Sequence, residues 1–521
     1  MKNRMRRPLL PAICLLLLTI ALAGCVDAPQ PPHAKLPPAK LPSHGHNVLL
    51  IVIDDMRPEF GCYGRAHIKS PNIDALAAEG VLFERAYAQM SACAPSRASF
   101  FTGCYPNTTN VHWFTKSIRE GNPKLTTLPR HFREHGYETY SFGKNFHFGQ
   151  RDDEQAWSEE PWKNETHLVY LTDDARHKTG VKDGVRGPVT EAADVPDKAY
   201  PDGQTALAAI DKLQALKDSK RPFFMSVGFV RPHLPFNCPQ MYWDLYPADS
   251  IEMPVNLEAP RLAAPNAGHG SYEPRFYSGV PLLEEITFTP DMLRKMTRGY
   301  YACTSYVDAL VGQVIDELKR LDLYENTTIV LVGDHGFHLG ENGVVGKATN
   351  YELGLRSPLI VKAAGAASGK HTKGLTELVD VFPTLCELAG IASPQQLEGI
   401  SLVPLLQNPD RRWANSSFSQ IGRIASDKSP ITGYSVRTDR YRFVSWNRGS
   451  DSEALDGNAI ATELYDYHSD QPERANVVDV AEHREAVETM KGLLRSNWTK
   501  TRKPPSASSD SETSTSEGQG S

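Results

Sequence analysis

Asn47-Val48-Leu49-Leu50-Ile51-Val52-Ile53, followed at once by Asp54-Asp55, is the stretch that decides the fold. A strand with one wet face alternates polar and apolar residues. A strand covered on both faces does not, and such strands belong to parallel sheets flanked by helices. Short apolar runs of the same kind recur at 138–142, 222–230, 328–332 and 358–361. Helical periodicity separates several of them, at 204–216, 292–321 and 379–388, and Ser70-Pro71 has the residues of a helix start. This alternation predicts an α/β fold, a large mixed but mainly parallel sheet flanked by helices. After about residue 410 the pattern changes to Ser/Thr/Tyr/Arg-rich strands near 432–446 and one helix near 482–494, which predicts a smaller C-terminal α+β subdomain.

Composition agrees with a large enzyme-sized core. Of 521 residues 40% are hydrophobic and 23% charged, which excludes collagen, coiled coil and wholly disordered chains. A net charge of −6 offers no basic face, so no nucleic-acid partner is expected. The N-terminus has the form of an address: Lys2, Arg4, Arg6 and Arg7 precede an apolar run ending Leu22-Ala23-Gly24-Cys25. That ending resembles the lipobox of bacterial lipoproteins, which implies cleavage before Cys25 and acylation of its thiol; a plain signal peptide with a chance cysteine is the other reading. The expected organisation is a signal peptide at 1–24, a lipid-anchored Pro-rich tether at 25–46, a catalytic domain at 47–410, the α+β subdomain at 411–500 and a disordered tail at 501–521. The expected location is the periplasm or cell surface, with the membrane touched through the lipid alone. The remaining cysteines, Cys62, Cys93, Cys104, Cys238, Cys303 and Cys386, lack zinc-like spacing, and export leaves room for one or two disulfides.

Chemistry-bearing residues fall where strands end. Asp54-Asp55 closes the first strand and Asp334-His335-Gly336 follows another. Open α/β sheets place ligands at that edge. Either group alone fits a solvated turn; two acidic strand ends in one chain favour a shared hard divalent cation. In Cys93-Ala94-Pro95-Ser96-Arg97-Ala98-Ser99-Phe100-Phe101-Thr102-Gly103, Pro95 suits a first helical turn, so Cys93 sits at a helix N-terminus that favours an anion or thiolate, with Arg97 one turn away. On those facts alone a structural cysteine before a helix is the better reading.

Cys-x-Pro-Ser-Arg followed by Thr-Gly resembles the signature of type I sulfatases, members of the alkaline-phosphatase-like superfamily. The likeness runs from about residue 47 to 476. It includes Ser70-Pro71-Asn72-Ile73-Asp74, Leu378-Val379-Asp380-Val381-Phe382-Pro383-Thr384-Leu385 and Glu463-Leu464-Tyr465-Asp466. Gly61-Cys62-Tyr63-Gly64, Gly143-Lys144-Asn145-Phe146-His147 and Arg231-Pro232-His233-Leu234-Pro235-Phe236 are most similar to iduronate-2-sulfatases. The resemblance implies that Cys93 is oxidised to Cα-formylglycine by a sulfatase-maturing enzyme, and that its hydrate is the nucleophile. It implies Asp54, Asp55, Asp334, His335 and the modified Cys93 as ligands of one Ca2+, Arg97 as the holder of the hydrate, and Lys144 and Lys347 as sulfate contacts. His147 would handle the hydrate's second hydroxyl, and His233 would protonate the leaving oxygen. His338 and Arg231 either contact the substrate's carboxylate or merely line the cleft, while Asp380 and Glu463 support structure. The segment 157–202 is either an active-site wall or a variable surface loop.

The implied activity is hydrolysis of a sulfate ester, the 2-O-sulfate of a uronic acid in a sulfated glycan. Two other functions fit parts of the pattern. One is a phosphodiesterase or phosphonate hydrolase of the same superfamily; the other is a noncatalytic glycan-binding lipoprotein.

Overall fold

The structure, a computed structural model, describes residues 45–177, 186–282, 287–425, 427–449, 459–469 and 472–498. The expected signal peptide, nearly all of the tether and the tail lie outside the described residues. Among the described residues no helix is long and apolar enough to cross a membrane.

In chain order the elements that position the site are β1 (Asn47–Ile53), α1 (Pro71–Glu79), β2 (Val81–Tyr87), α2 (Cys93–Thr102), β3 (Glu138–Gly143), α3 (Pro201–Leu216), β4 (Phe223–Phe229), α4 (Pro290–Arg320), β5 (Thr327–Gly333), β6 (Arg356–Ser357), β7 (Leu359–Lys362), β8 (Lys370–Glu377) and α5 (Val381–Ala389). They build one eight-stranded sheet in the order β6-β2-β7-β5-β1-β4-β3, with β8 paired to β2. β1 lies centrally, parallel to β4 and β5, and β3 is parallel to β4. β7 runs antiparallel to both β2 and β5, so the sheet is mixed, as expected.

All seven residues of β1 are buried. Leu49, Ile51 and Ile53 face one core, with Tyr300, Val307 and Leu310 of α4. Val48, Leu50 and Val52 face the other, with Phe100, Phe101 and Phe382. Two apolar layers of this size explain why β1 carries no polar alternation.

A second sheet follows, all antiparallel: β9 (Ser417–Ile424), β10 (Pro430–Arg437), β11 (Tyr441–Arg448) and β12 (Ala459–Asp466), then helix α6 (Arg484–Trp498). Phe418, Tyr434, Val436, Phe443 and Leu464 pack against Val487, Met490 and Leu494 of α6. The disulfides that export would allow are not formed: Cys62, Cys93, Cys104, Cys238, Cys303 and Cys386 are all free.

Candidate active site

Asp54 and Asp55 leave the end of β1, and Asp334 and His335 leave the end of the adjacent parallel strand β5. Consecutive residues of an extended chain point to opposite faces. Asp55 escapes that rule by adopting φ +58, the left-handed region, and its backbone N–H donates to Asp334 Oδ1 at 2.9 Å. All four side chains are fully buried. Helix α2 sets Cys93 at its first turn, and Cys93 Sγ lies 3.4 Å from His335 Nε2 and 3.7 Å from Asp55 Oδ1.

Arg97, one turn into α2, is buried and joins the two strand ends. Its Nη2 donates to Asp54 Oδ1 at 2.9 Å and its Nε to Asp334 Oδ2 at 3.0 Å. Its Nη1 donates to the carbonyls of Lys144 and Asn145 at 2.6 and 2.7 Å. The guanidinium fork is thus engaged in clamping carboxylates and the β3 loop.

Lys144 arrives from the end of β3. Gly228 makes room for it: a Cβ there would lie 2.0 Å from Lys144 O. Lys144 Nζ donates to Asp54 Oδ2. Lys347 Nζ donates to Asp55 Oδ1 and Oδ2 at 2.6 and 2.8 Å and lies 3.4 Å from Cys93 Sγ. Burial opposes the charge on Asp54, but Lys144 and Arg97 outweigh it and hold that carboxyl well below the usual carboxylate range. Burial pushes the Asp334 carboxyl up.

Burial, reinforced by Asp54, also raises the Cys93 thiol well above its usual range. This corrects the expectation of a thiolate at the helix end: desolvation and a neighbouring carboxylate outweigh the dipole, and the unmodified side chain is a protonated thiol.

The histidines divide sharply. His233 Nδ1 donates to Leu234 O at 2.8 Å, and its Nε2 faces Glu273 Oε1 at 3.0 Å. His147 packs against Phe114 with ring centroids 5.1 Å apart, its Nδ1 has no hydrogen-bond partner among the described residues, and burial together with Lys144 lowers it to about 3. His338 is fully buried beside Thr349 Oγ1 at 3.0 Å, paired across a short strand with Gly346. Arg231 donates to the carbonyls of Asn237, His233 and His167, at 3.1, 3.0 and 3.0 Å, so three of its five N–H groups brace a loop. Segment 157–202 reaches the site through His167, whose ring meets His233 edge-on at 5.7 Å. Asp380 accepts from Ile400 N, and Glu463 accepts from Trp446 Nε1 and the Tyr465 hydroxyl; both are structural.

Glu273 carries no sequence signal. It comes from the irregular stretch before α4, yet its Oε2 lies 3.2 Å from Lys347 Nζ while Oε1 faces His233.

The donor set fits a divalent cation. Asp54, Asp55, Cys93 and His233 form one group, and Cys93, Asp334 and His335 another, each with ligand atoms within 4.8 Å of one another. His335 donates Nδ1–H to Gly336 O at 2.9 Å, which leaves the Nε2 lone pair aimed at the carboxylates, as in metal-binding histidines. Both His233 nitrogens already face acceptors, so His233 is not a ligand. Three carboxylates and one imidazole, closed off by lysines and an arginine, can bind an anion against a cation.

Comparison with known proteins places this geometry. The sulfatase family profile matches residues 46–391, and the C-terminal profile of N-sulphoglucosamine sulphohydrolase matches 340–500. The chain belongs to the sulfatase family and is a sulfuric ester hydrolase. It is 34% identical to iduronate 2-sulfatase of Mus musculus, over 84% of this chain and 91% of that one. With the Homo sapiens iduronate 2-sulfatase it shares 34% identity over 81% of this chain and 89% of the relative. A phosphonate monoester hydrolase of Agrobacterium radiobacter shares the fold, with a TM-score of 0.69, 22% identity and coverage of 87% and 95%.

Proposed function

We propose that the enzyme removes the 2-O-sulfate of a uronic acid in a sulfated glycan, using Ca2+ and a formylglycine made from Cys93. The supporting observation is the convergence of Lys347 Nζ on Asp55 at 2.6 Å and on Cys93 Sγ at 3.4 Å, with Lys144 on Asp54 opposite. The uronate preference rests on the 34% identity to iduronate 2-sulfatases across most of both chains.

When present, the ion and the aldehyde hydrate supply a Lewis acid for sulfate oxygens and a nucleophile that can be regenerated by elimination. Asp54, Asp55, Asp334 and His335 would hold the ion, and the oxygen of a formylglycine at position 93 would complete the set. Arg97 fixes the two strand ends relative to α2. Lys144 and Lys347 bind the non-bridging sulfate oxygens and offset the charge that repels a nucleophile. His233, held between the Leu234 carbonyl and Glu273, delivers its Nε2 proton to the leaving sugar oxygen. His147, uncharged over the working range, accepts a proton from residue 93 in the second half of the cycle.

The test measures sulfate release from a 2-O-sulfated uronate disaccharide against cleavage of a phosphodiester, with the mass of the peptide carrying residue 93. A thiol mass in active enzyme, or preference for the phosphodiester, overturns the reading. Lipid anchoring at Cys25 is proposed on Leu22-Ala23-Gly24-Cys25, and acyl labelling of a Cys25→Ser variant tests it.

A further inference from the structure

Three buried carboxylates of the site, Asp54, Asp55 and Asp334, are closed to solvent, whereas the Glu273 side chain keeps 28% of its surface exposed. Glu273 therefore stands at the mouth. Its two oxygens are shared between the two donors that a sulfate monoester needs on its leaving side, His233 Nε2 at 3.0 Å and Lys347 Nζ at 3.2 Å. His233 rests one end of its ring on Leu234 O, to which Nδ1–H donates at 2.8 Å, and Glu273 aligns the other end. Lys347 is tethered likewise by Asp55. The oxygens of a carboxylate are spaced much like the bridging oxygen and one non-bridging oxygen of a sulfate ester.

We infer that Glu273 is a resident mimic of the substrate's leaving edge. It is a positioning residue that holds His233 Nε2–H and Lys347 in their working orientation and must yield both when the ester enters. The reading rests on the function proposed above and assigns the subsite: bridging oxygen to His233, one non-bridging oxygen to Lys347. Two opposed consequences follow. Removing an anion from beside Lys347 strengthens binding of sulfate. Removing the acceptor that aligns Nε2–H weakens proton donation, which matters for a sugar alkoxide and far less for a phenolate, a good leaving group unaided.

The experiment uses the matured holoenzyme and its Glu273→Ala and Glu273→Gln variants. Inorganic sulfate serves as competitive inhibitor of 4-nitrophenyl sulfate turnover, and kcat is measured on that aryl ester and on a 2-O-sulfated uronate disaccharide. In Glu273→Ala the inhibition constant of sulfate falls several-fold. The ratio of disaccharide to aryl kcat falls about tenfold, within the range expected for a disturbed general acid. Glu273→Gln, which keeps an acceptor without charge, recovers most of that ratio while retaining the tighter sulfate binding. Sulfate bound no more tightly, or equal losses on both esters, overturns the role. If wild-type enzyme cleaves neither ester, the proposed function fails instead.

Discussion

Two buried charge clusters invite comparison, one at the strand ends around residue 93 and one where the C-terminal sheet meets the first. At the joint, Arg442 Nη2 donates to Glu352 Oε2 at 2.7 Å, Nε to the Tyr467 hydroxyl at 3.1 Å and Nη1 to Ser435 Oγ at 3.2 Å. Arg437 meets the same Glu352 oxygen at 3.3 Å, and the Glu352 carboxyl, despite its burial, is held at about 2 by Arg437 and Arg442. Donors and acceptors at the joint satisfy one another. The catalytic cluster has one such fork, Arg97, but also meets its carboxylates with two ammonium groups, Lys144 on Asp54 and Lys347 on Asp55. A planar fork fixes geometry; an ammonium on a flexible stem can exchange a carboxylate for an incoming anion. The difference separates a cluster that holds the protein together from one that waits for a ligand.

The sharpest break in that comparison is Cys93→Ala, for which we expect sulfate release to fall by at least about 10³-fold with the thermal unfolding midpoint nearly unchanged. Asp54→Asn comes next: calorimetric Ca2+ binding is lost, and turnover drops on the order of 10²–10³-fold, since the several kcal/mol supplied by a Lewis acid go with it. Arg442→Met acts on the other cluster and leaves Glu352 buried with a weaker partner. It should cost about 3–5 kcal/mol in urea unfolding while kcat per folded molecule stays at the wild-type value.

The smallest effect is a pH slope. Burial lowers His338 to about 4, whereas an unfolded histidine titrates near 6.5. Between those values the unfolded chain binds more protons, so stability is full above about pH 6.5 and declines as pH falls toward 4. At pH 5 this site costs roughly 1–2 kcal/mol, and His338→Gln should flatten the unfolding profile by that amount.

The strand ends were legible because an unbroken β-branched run followed by carboxylates leaves few alternatives. Asp54, Asp55, Asp334 and His335 do meet, and Cys93 stands at the first turn of a helix beside them. Other features were not legible. The direction of β7 is invisible in the four residues Leu359-Ile360-Val361-Lys362, since side-chain pattern does not encode strand polarity. The thiol's protonation depends on burial, which the helix position alone does not reveal. Glu273 comes from a stretch without periodicity, and its partners lie 40 and 74 positions away in sequence.

Helix α2 carries one more consequence. All ten of its residues, Cys93 through Thr102, are buried. The finished fold does not present residue 93 to another protein's pocket. The oxidation proposed above would therefore have to precede collapse of the core, which would make biogenesis a race: a copy that folded first would be well formed, durable and dead.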